Sequence, residues 1–182
     1  MRSVIPMLVG CLAAAFLAAG CGSKGSTTST SSAVDWASGL CGAITTWRTS
    51  VTSAVDSVTS GSVSKASLQS AASKVKSANQ AFADSLKNLG QPGTDSGAKA
   101  KDALDKLSTE IGNERDKINS AISGVTTLTG VIAAAPIVLD SLKAMRTDVS
   151  TTFTELQAID ASGELSDAFK QASSCTPLTK SS

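Results

Sequence analysis

This sequence of 182 residues contains no histidine, so its four cysteines are the side chains with the most distinctive reactivity. Cys11 and Cys21 lie within or next to an apolar N-terminal run, whereas Cys41 and Cys175 stand far apart in the remainder. A thiol can be acylated, oxidised to a disulfide or deprotonated to bind a metal. Cys41 and Cys175, with neither a histidine nor a further cysteine beside them, cannot complete a zinc coordination shell, so we expect no metal site.

The apolar run is Val4–Ala19, which follows Arg2 and has the length of a signal peptide rather than of a membrane span. It ends in the small residues 18–20, which a signal peptidase accepts, and Cys21 follows directly. This arrangement resembles the lipobox of bacterial lipoproteins, although the usual leucine sits one place early, at Leu17. The resemblance implies a signal peptide at residues 1–20 and acylation of Cys21, for example by palmitate. The chain would then be anchored by lipid to the extracytoplasmic face of the cell membrane.

A second cysteine competes for this role. Leu8-Val9-Gly10-Cys11 fits the lipobox letters better, but cleavage there leaves only Val4–Gly10 as the hydrophobic region. That length is at the bottom of the workable range of about 7–15 residues, and Leu12–Ala19 would remain on the mature chain without a role. We therefore expect the lipid on Cys21. The alternative is a plain secreted protein in which Cys21 has no special part.

The lipoprotein resemblance also bears on the remaining cysteines. If Cys11 leaves with the leader and Cys21 is acylated, Cys41 and Cys175 are left outside the reducing cytoplasm. A disulfide between them is then the economical prediction, and two free buried thiols are the alternative. Such a bond would join the first helix to the C-terminal segment.

Residues 22–32 contain only glycine, serine, threonine and one lysine, a composition typical of a flexible tether. As a random coil this segment has a root-mean-square reach of about 17–20 Å. Threonine-rich tethers of this kind resemble those of actinobacterial lipoproteins, some of which are O-glycosylated. We assign residues 21–32 to the lipidated cysteine and tether, 33–176 to one helical bundle domain and 177–182 to a tail.

Cys41 and Cys175 are positioned by the helices of the bundle. The hydrophobic periodicity predicts where these helices lie. Ala33–Thr59 and Val63–Leu89 each repeat apolar residues every three or four positions. Gly90 and Pro92 end the second helix, and Thr94 or Asp95 is predicted to cap the third. Glu164–Ala172 is predicted as a short amphipathic helix.

The third apolar stripe runs from Leu104 through Leu128, Ile132 and Val138 to Ile159. Read literally it is one helix, too long for a domain whose first two helices measure about 40 Å. The chain must therefore reverse within residues 124–136. The sequence predicts an all-α fold: an antiparallel up-down-up-down four-helix bundle plus a short C-terminal helix clipped by the disulfide.

Trp36 and Trp47 are eleven residues apart and share one face of the first helix. We expect both in the core, where stripes at helical spacing usually pack. The alternative is an aromatic platform for a ligand. In that case Trp36, Trp47, Ile132 and Val138 would line a cavity between the helices.

Several function classes are not expected. The sequence lacks a histidine base, a phosphate-binding glycine loop and a nucleophile elbow, and Glu110, Glu114 and Asp116 alternate with basic residues. We therefore expect no enzymatic activity and no cofactor. The net charge of +1, with lysines dispersed among acids, gives no reason to expect nucleic acid.

The remaining hypotheses concern binding. The first is a monomeric lipoprotein whose bundle binds an envelope protein or another envelope component. The alternative is a carrier that holds a lipid or a hydrophobic small molecule between its helices. A purely structural spacer is a third possibility.

Overall fold

The computed structural model describes residues 32–60, 62–160 and 162–179. Within these ranges the chain is helical and contains no strand. The predicted signal peptide, Cys11, the predicted lipidation site Cys21 and the predicted tether up to residue 31 lie outside the described residues.

Four long helices form the body of the molecule. They are α1 (Ala33–Thr59), α2 (Lys65–Leu89), α3 (Gly97–Ser123) and α4 (Leu128–Ala158). The C-terminal segment adds α5 (Glu164–Gln171), a 3-10 turn (Ser173–Cys175) and the single-turn helix α6 (Thr176–Thr179). Short connections make successive helices antiparallel, and α4 closes the ring by contacting α1. The predicted up-down-up-down bundle is confirmed.

Local signals set most of the helix ends. Ser32 accepts a hydrogen bond from the Asp35 N–H, and Ser64 forms a capping box with Ser67 at the start of α2. Gly90 ends α2 with a φ of 62°, which favours glycine. The predicted cap of α3 is wrong, because α3 follows Ser96 rather than Thr94 or Asp95.

The α3–α4 reversal occupies residues 124–127, inside the predicted interval. The Thr127 hydroxyl accepts a hydrogen bond from the Gly130 N–H at 3.1 Å and so caps α4. Pro136 is the ninth residue of α4, so it lies inside the helix and not in the turn.

The buried face of α4 differs from the prediction. Leu128 and Ile132 were expected to face the core but are 70% and 65% exposed. Counting back from Val138 in steps of four and three reaches Ala134 and Val131, which are buried instead. Leu128 and Ile132 therefore lie about 80–120° around the helix from the core stripe.

The C-terminal segment packs between α1 and α4 at one end of the bundle. The Phe169 ring lies 6.2 Å from that of Trp36 and 5.2 Å from that of Phe153, both edge-to-face. Leu178 is also buried, so α6 belongs to the folded domain although the sequence placed residues 177–182 in a tail.

The two ends of the bundle are distinct. The proximal end, where the chain enters α1, also holds the α2–α3 connection, because the Trp36 Nε1–H donates to the Gly90 carbonyl oxygen at 3.1 Å. The distal end holds the α1–α2 and α3–α4 connections. With 27 residues, α1 places the two ends about 40 Å apart.

Candidate functional site

The disulfide joins Cys41 of α1 to Cys175 in the C-terminal turn, as predicted, with the two Cα atoms 5.0 Å apart. Both cysteines are fully buried. Beside them the Ser174 hydroxyl donates to the Ser38 carbonyl oxygen at 3.0 Å. The bond closes the C-terminal segment against α1 and so helps to shape the surface between α1 and α4.

Trp36 and Trp47 are core residues, 0% and 1% exposed. The Trp47 Nε1–H donates to the Asn79 Oδ1 at 2.8 Å, and the Trp47 ring lies 5.7 Å from that of Phe82. Because both indole N–H groups are already paired within the protein, neither tryptophan offers a free face or donor to a ligand.

The structure does not bring the four predicted ligand-binding residues together. Val138 is fully buried in the core, whereas Ile132 is exposed on the outside of the same helix. Trp47 borders an open cleft of about 340 Å³ between α1 and α2, but Trp36, Ile132 and Val138 do not line it. Small side chains such as Gly39, Gly42 and Ala43 form much of its wall, which reflects close packing of these two helices.

An exposed apolar surface covers the first half of α4. We call it the α4 outer face; it consists of Leu128, Ile132, Pro136 and Ile137, and each of these residues is exposed. By length and composition α4 could cross a membrane, as many core helices could, and only 33% of its most apolar window is buried here. Helix α4 therefore has apolar side chains on two sides: one set is buried in the core, and the other is exposed as the α4 outer face.

A second surface feature is the groove between α1 and α4, which we call the Arg48–Arg146 groove. Two clefts of about 310 and 510 Å³ share Arg48, Arg146 and Leu178, and a third of about 320 Å³ continues past Arg146 to Lys143. Its apolar lining comprises Ile44, Val55, Leu139, Val149, Phe153, Pro177 and Leu178. The sequence gives no sign of this groove, because Arg48 and Arg146 lie on different helices and outside any local motif.

Charges in the groove are mostly unpaired. Ion pairs elsewhere join Lys101 to Asp105 and Lys117 to Glu114, but within the described chain neither Arg48 nor Arg146 forms one. Asp56 is the carboxylate among the lining residues, set against Arg48, Arg146 and Lys143. The groove is therefore cationic along an apolar floor.

Two carboxylates have shifted pKa values. Partial burial, and then the negative charges of Glu110 and Glu114, raise the pKa of Asp148. The pKa of Asp160 is lowered, first by the Ser162 hydroxyl and then by the Leu165 N–H, which donates at 3.0 Å. Asp160 thereby closes the turn into α5. Across the described ranges, no three histidine, cysteine, aspartate or glutamate side chains form a group that could hold a metal ion.

Comparison with known proteins adds no relative. No family model matches the chain, and no curated protein or solved structure is significantly similar to it.

Proposed function

We propose that this protein is a non-enzymatic lipoprotein, anchored outside the cytoplasm through Cys21, whose bundle binds a protein of the cell envelope. The observation that carries the binding proposal is the α4 outer face. Leu128 and Ile132 expose about two thirds of their surface, whereas most other large apolar side chains in the described part of the chain lie in the core. Exposed apolar side chains grouped in this way are typical of protein interaction sites.

The position of this face favours a protein partner over the anchoring bilayer. Leu128 begins α4 at the distal end, about 40 Å from the point where residue 32 enters α1. The tether has a root-mean-square reach of only about 17–20 Å, so a bundle that stands upright on it holds the face away from the membrane that carries Cys21. An apolar surface of another envelope protein is the occupant that suits this geometry.

The carrier alternative has less support. It requires Trp47, Ile132 and Val138 to line one cavity, but Trp47 and Val138 are packed in the core whereas Ile132 is exposed on the outside of α4. The interior between the helices is filled by large side chains, among them Trp47, Phe82 and Met145.

Mass spectrometry of the membrane fraction tests the anchor. We expect an acylated N-terminal Cys21 and release of the protein from the membrane in a Cys21→Ser variant. An unmodified thiol at Cys21 in the mature protein would refute the anchor.

Photo-crosslinking in intact cells tests the partner. A photoreactive residue at position 132 is expected to form one discrete adduct with another envelope protein, and Leu128→Ser is expected to abolish it. A photoreactive residue at the exposed position 76 on α2 serves as the control and should form no such adduct. Because Leu128 is exposed, its replacement should leave the thermal midpoint unchanged. Adducts with lipid alone, or the same adducts from both positions, would contradict the proposal.

A further inference from the structure

The described part of the chain contains three arginines, and two of them line one groove. Arg115, the third, lies on α3 and pairs with Asp116 at 2.8 Å. Arg48 and Arg146 have no carboxylate partner within the described residues. Guanidinium groups that share a cleft and lack a counter-ion are suited to bidentate recognition of an oxyanion.

A buried hydroxyl supplies an independent observation. The Thr45 Oγ1 lies in the wall of the same groove, is buried and has no hydrogen-bond partner among the described residues. Threonines elsewhere on the helices, such as Thr49 and Thr147, donate to the carbonyl four residues earlier. A buried polar atom without a partner is unfavourable, so the Thr45 hydroxyl is a donor beside Arg48 that a ligand could satisfy.

The floor of the groove is apolar and closed by the C-terminal segment. Ile44, Phe153 and Leu178 line it and are at most 7% exposed as whole residues. The cationic rim and this floor lie together in clefts of 310 and 510 Å³, within the size range of ligand sites. The arrangement fits a molecule with an anionic head and an alkyl portion.

We propose that the Arg48–Arg146 groove binds an amphipathic phosphate. Arg48 and Arg146 hold the phosphate oxygens, the Thr45 side chain turns about χ1 so that its hydroxyl donates to one of them, and the alkyl portion lies along Ile44 and Phe153. The phosphate can be that of a soluble alkyl phosphate or of a phospholipid headgroup. This site is independent of the α4 outer face and of Cys21 acylation.

Calorimetric titration of the full chain in a neutral detergent tests the chemistry, with n-butyl phosphate and inorganic phosphate as probes. We expect n-butyl phosphate to bind more tightly than inorganic phosphate, because only the former reaches the apolar floor. Arg48→Gln and Arg146→Gln are each expected to weaken n-butyl phosphate binding about tenfold, the usual effect of losing a charged hydrogen bond. The matched control Arg115→Gln should change it less than about twofold. Equal losses in all three variants, or no binding of either probe, would overturn the proposal.

Thr45→Val separates a ligand role from a structural one. We expect weaker n-butyl phosphate binding together with an unchanged or higher thermal midpoint, because the variant removes a buried hydroxyl that has no partner in the protein. The exposed Thr154→Val on α4 is the control and should leave binding unchanged. If Thr45→Val leaves binding unaffected, the hydroxyl does not contact the ligand. If it lowers the thermal midpoint, the hydroxyl has a structural role. Either result counts against the proposal.

Arginine modification by phenylglyoxal identifies the source of the phosphate. The full chain is incorporated into vesicles of phosphatidylcholine, or of phosphatidylcholine and phosphatidylglycerol in equal parts, and modification is measured by mass spectrometry. Protection of Arg48 and Arg146, but not Arg115, in the anionic vesicles alone would support a lipid headgroup. Protection only after addition of n-butyl phosphate would support a soluble ligand. Equal modification of all three arginines under every condition would refute the site.

Discussion

The Trp47 indole is the polar centre of the core. Its N–H donates to the Asn79 Oδ1, and the Asn79 Nδ2 contacts the Met145 sulfur at 3.9 Å. Asn79 is only 6% exposed, so water cannot take its place without rearrangement of the core. One amide therefore links α1, α2 and α4 and satisfies an indole that would otherwise be buried without an acceptor.

Asn79→Ala tests this link. We expect a loss of about 1–3 kcal/mol in the free energy of unfolding, because the Trp47 N–H is left unpaired in the core. Chemical denaturation of the variant gives the value. Asn88→Ala, at an exposed position on the same helix, is the control and should stay within about 0.5 kcal/mol of the parent. A loss as small as that of the control would show that the indole finds another acceptor.

Asp148 opposes folding at neutral pH. Burial and the charges of Glu110 and Glu114 raise its pKa in the folded state above that of the unfolded chain, so the ionised form is favoured by unfolding. Asp148→Asn should therefore raise the thermal midpoint at pH 7. As the pH falls through the raised pKa, the folded state takes up the proton first, and the advantage of the variant should shrink towards about pH 4. A constant advantage at every pH would contradict this assignment.

At the scale of the elements, two glycine-containing turns behave differently. Gly163, at the start of α5, has a φ of 82°, a region that side-chain-bearing residues rarely adopt. Gly124, at the end of α3, has a φ of −93°, and an added Cβ would meet no atom within 4 Å. The requirement for glycine is therefore conformational at residue 163 and absent at residue 124.

This difference predicts opposite effects of one substitution. Gly163→Ala should lower the free energy of unfolding by about 1–2 kcal/mol, the cost of a left-handed conformation with a Cβ. Gly124→Ala should be neutral or stabilising by about 0.4–1 kcal/mol, because it restricts the unfolded chain without strain in the folded one. Urea denaturation of both variants makes the comparison. Similar losses in the two variants would contradict it.

At the scale of the whole molecule, the C-terminal segment is held to α1 by the disulfide and by one aromatic cluster. Cys41 and Cys175 are 134 positions apart, and Phe169 packs between Trp36 and Phe153. Cross-linking so long a loop restricts the unfolded chain, which is the main source of its stabilising effect in the chain-entropy model. The same segment closes one end of the Arg48–Arg146 groove.

Replacement of both cysteines by alanine should lower the free energy of unfolding by about 2–5 kcal/mol. We also expect faster proteolysis in residues 162–175 and a red-shifted tryptophan emission, because Trp36 loses part of its cover. Ser38→Ala combined with Ser174→Ala removes the adjacent hydrogen bond and keeps the disulfide, so this double variant is the matched control. A loss no greater than that of the control would mean that packing alone holds the segment.

Local patterns in the sequence were sufficient for the helices and for their order. The spacing of apolar residues, the capping serines and Gly90 act over a few positions, so they can be read without tertiary structure. The prediction failed at Leu128 and Ile132, where apolar residues occupy more than one side of α4. In that case the periodicity does not show which side of α4 is buried. The packing of Val131 and Ala134 against the other helices decides it.

The sequence by itself therefore determined a four-helix bundle and, through the lipoprotein resemblance, the expected Cys41–Cys175 bond. The tertiary structure decided which apolar residues remain on the surface and which distant charges meet. Arg48 and Arg146 belong to helices that contact each other only after the bundle closes, and the C-terminal segment packs against both helices. Such a groove depends on the relative placement of α1, α4 and α6, which no local pattern encodes.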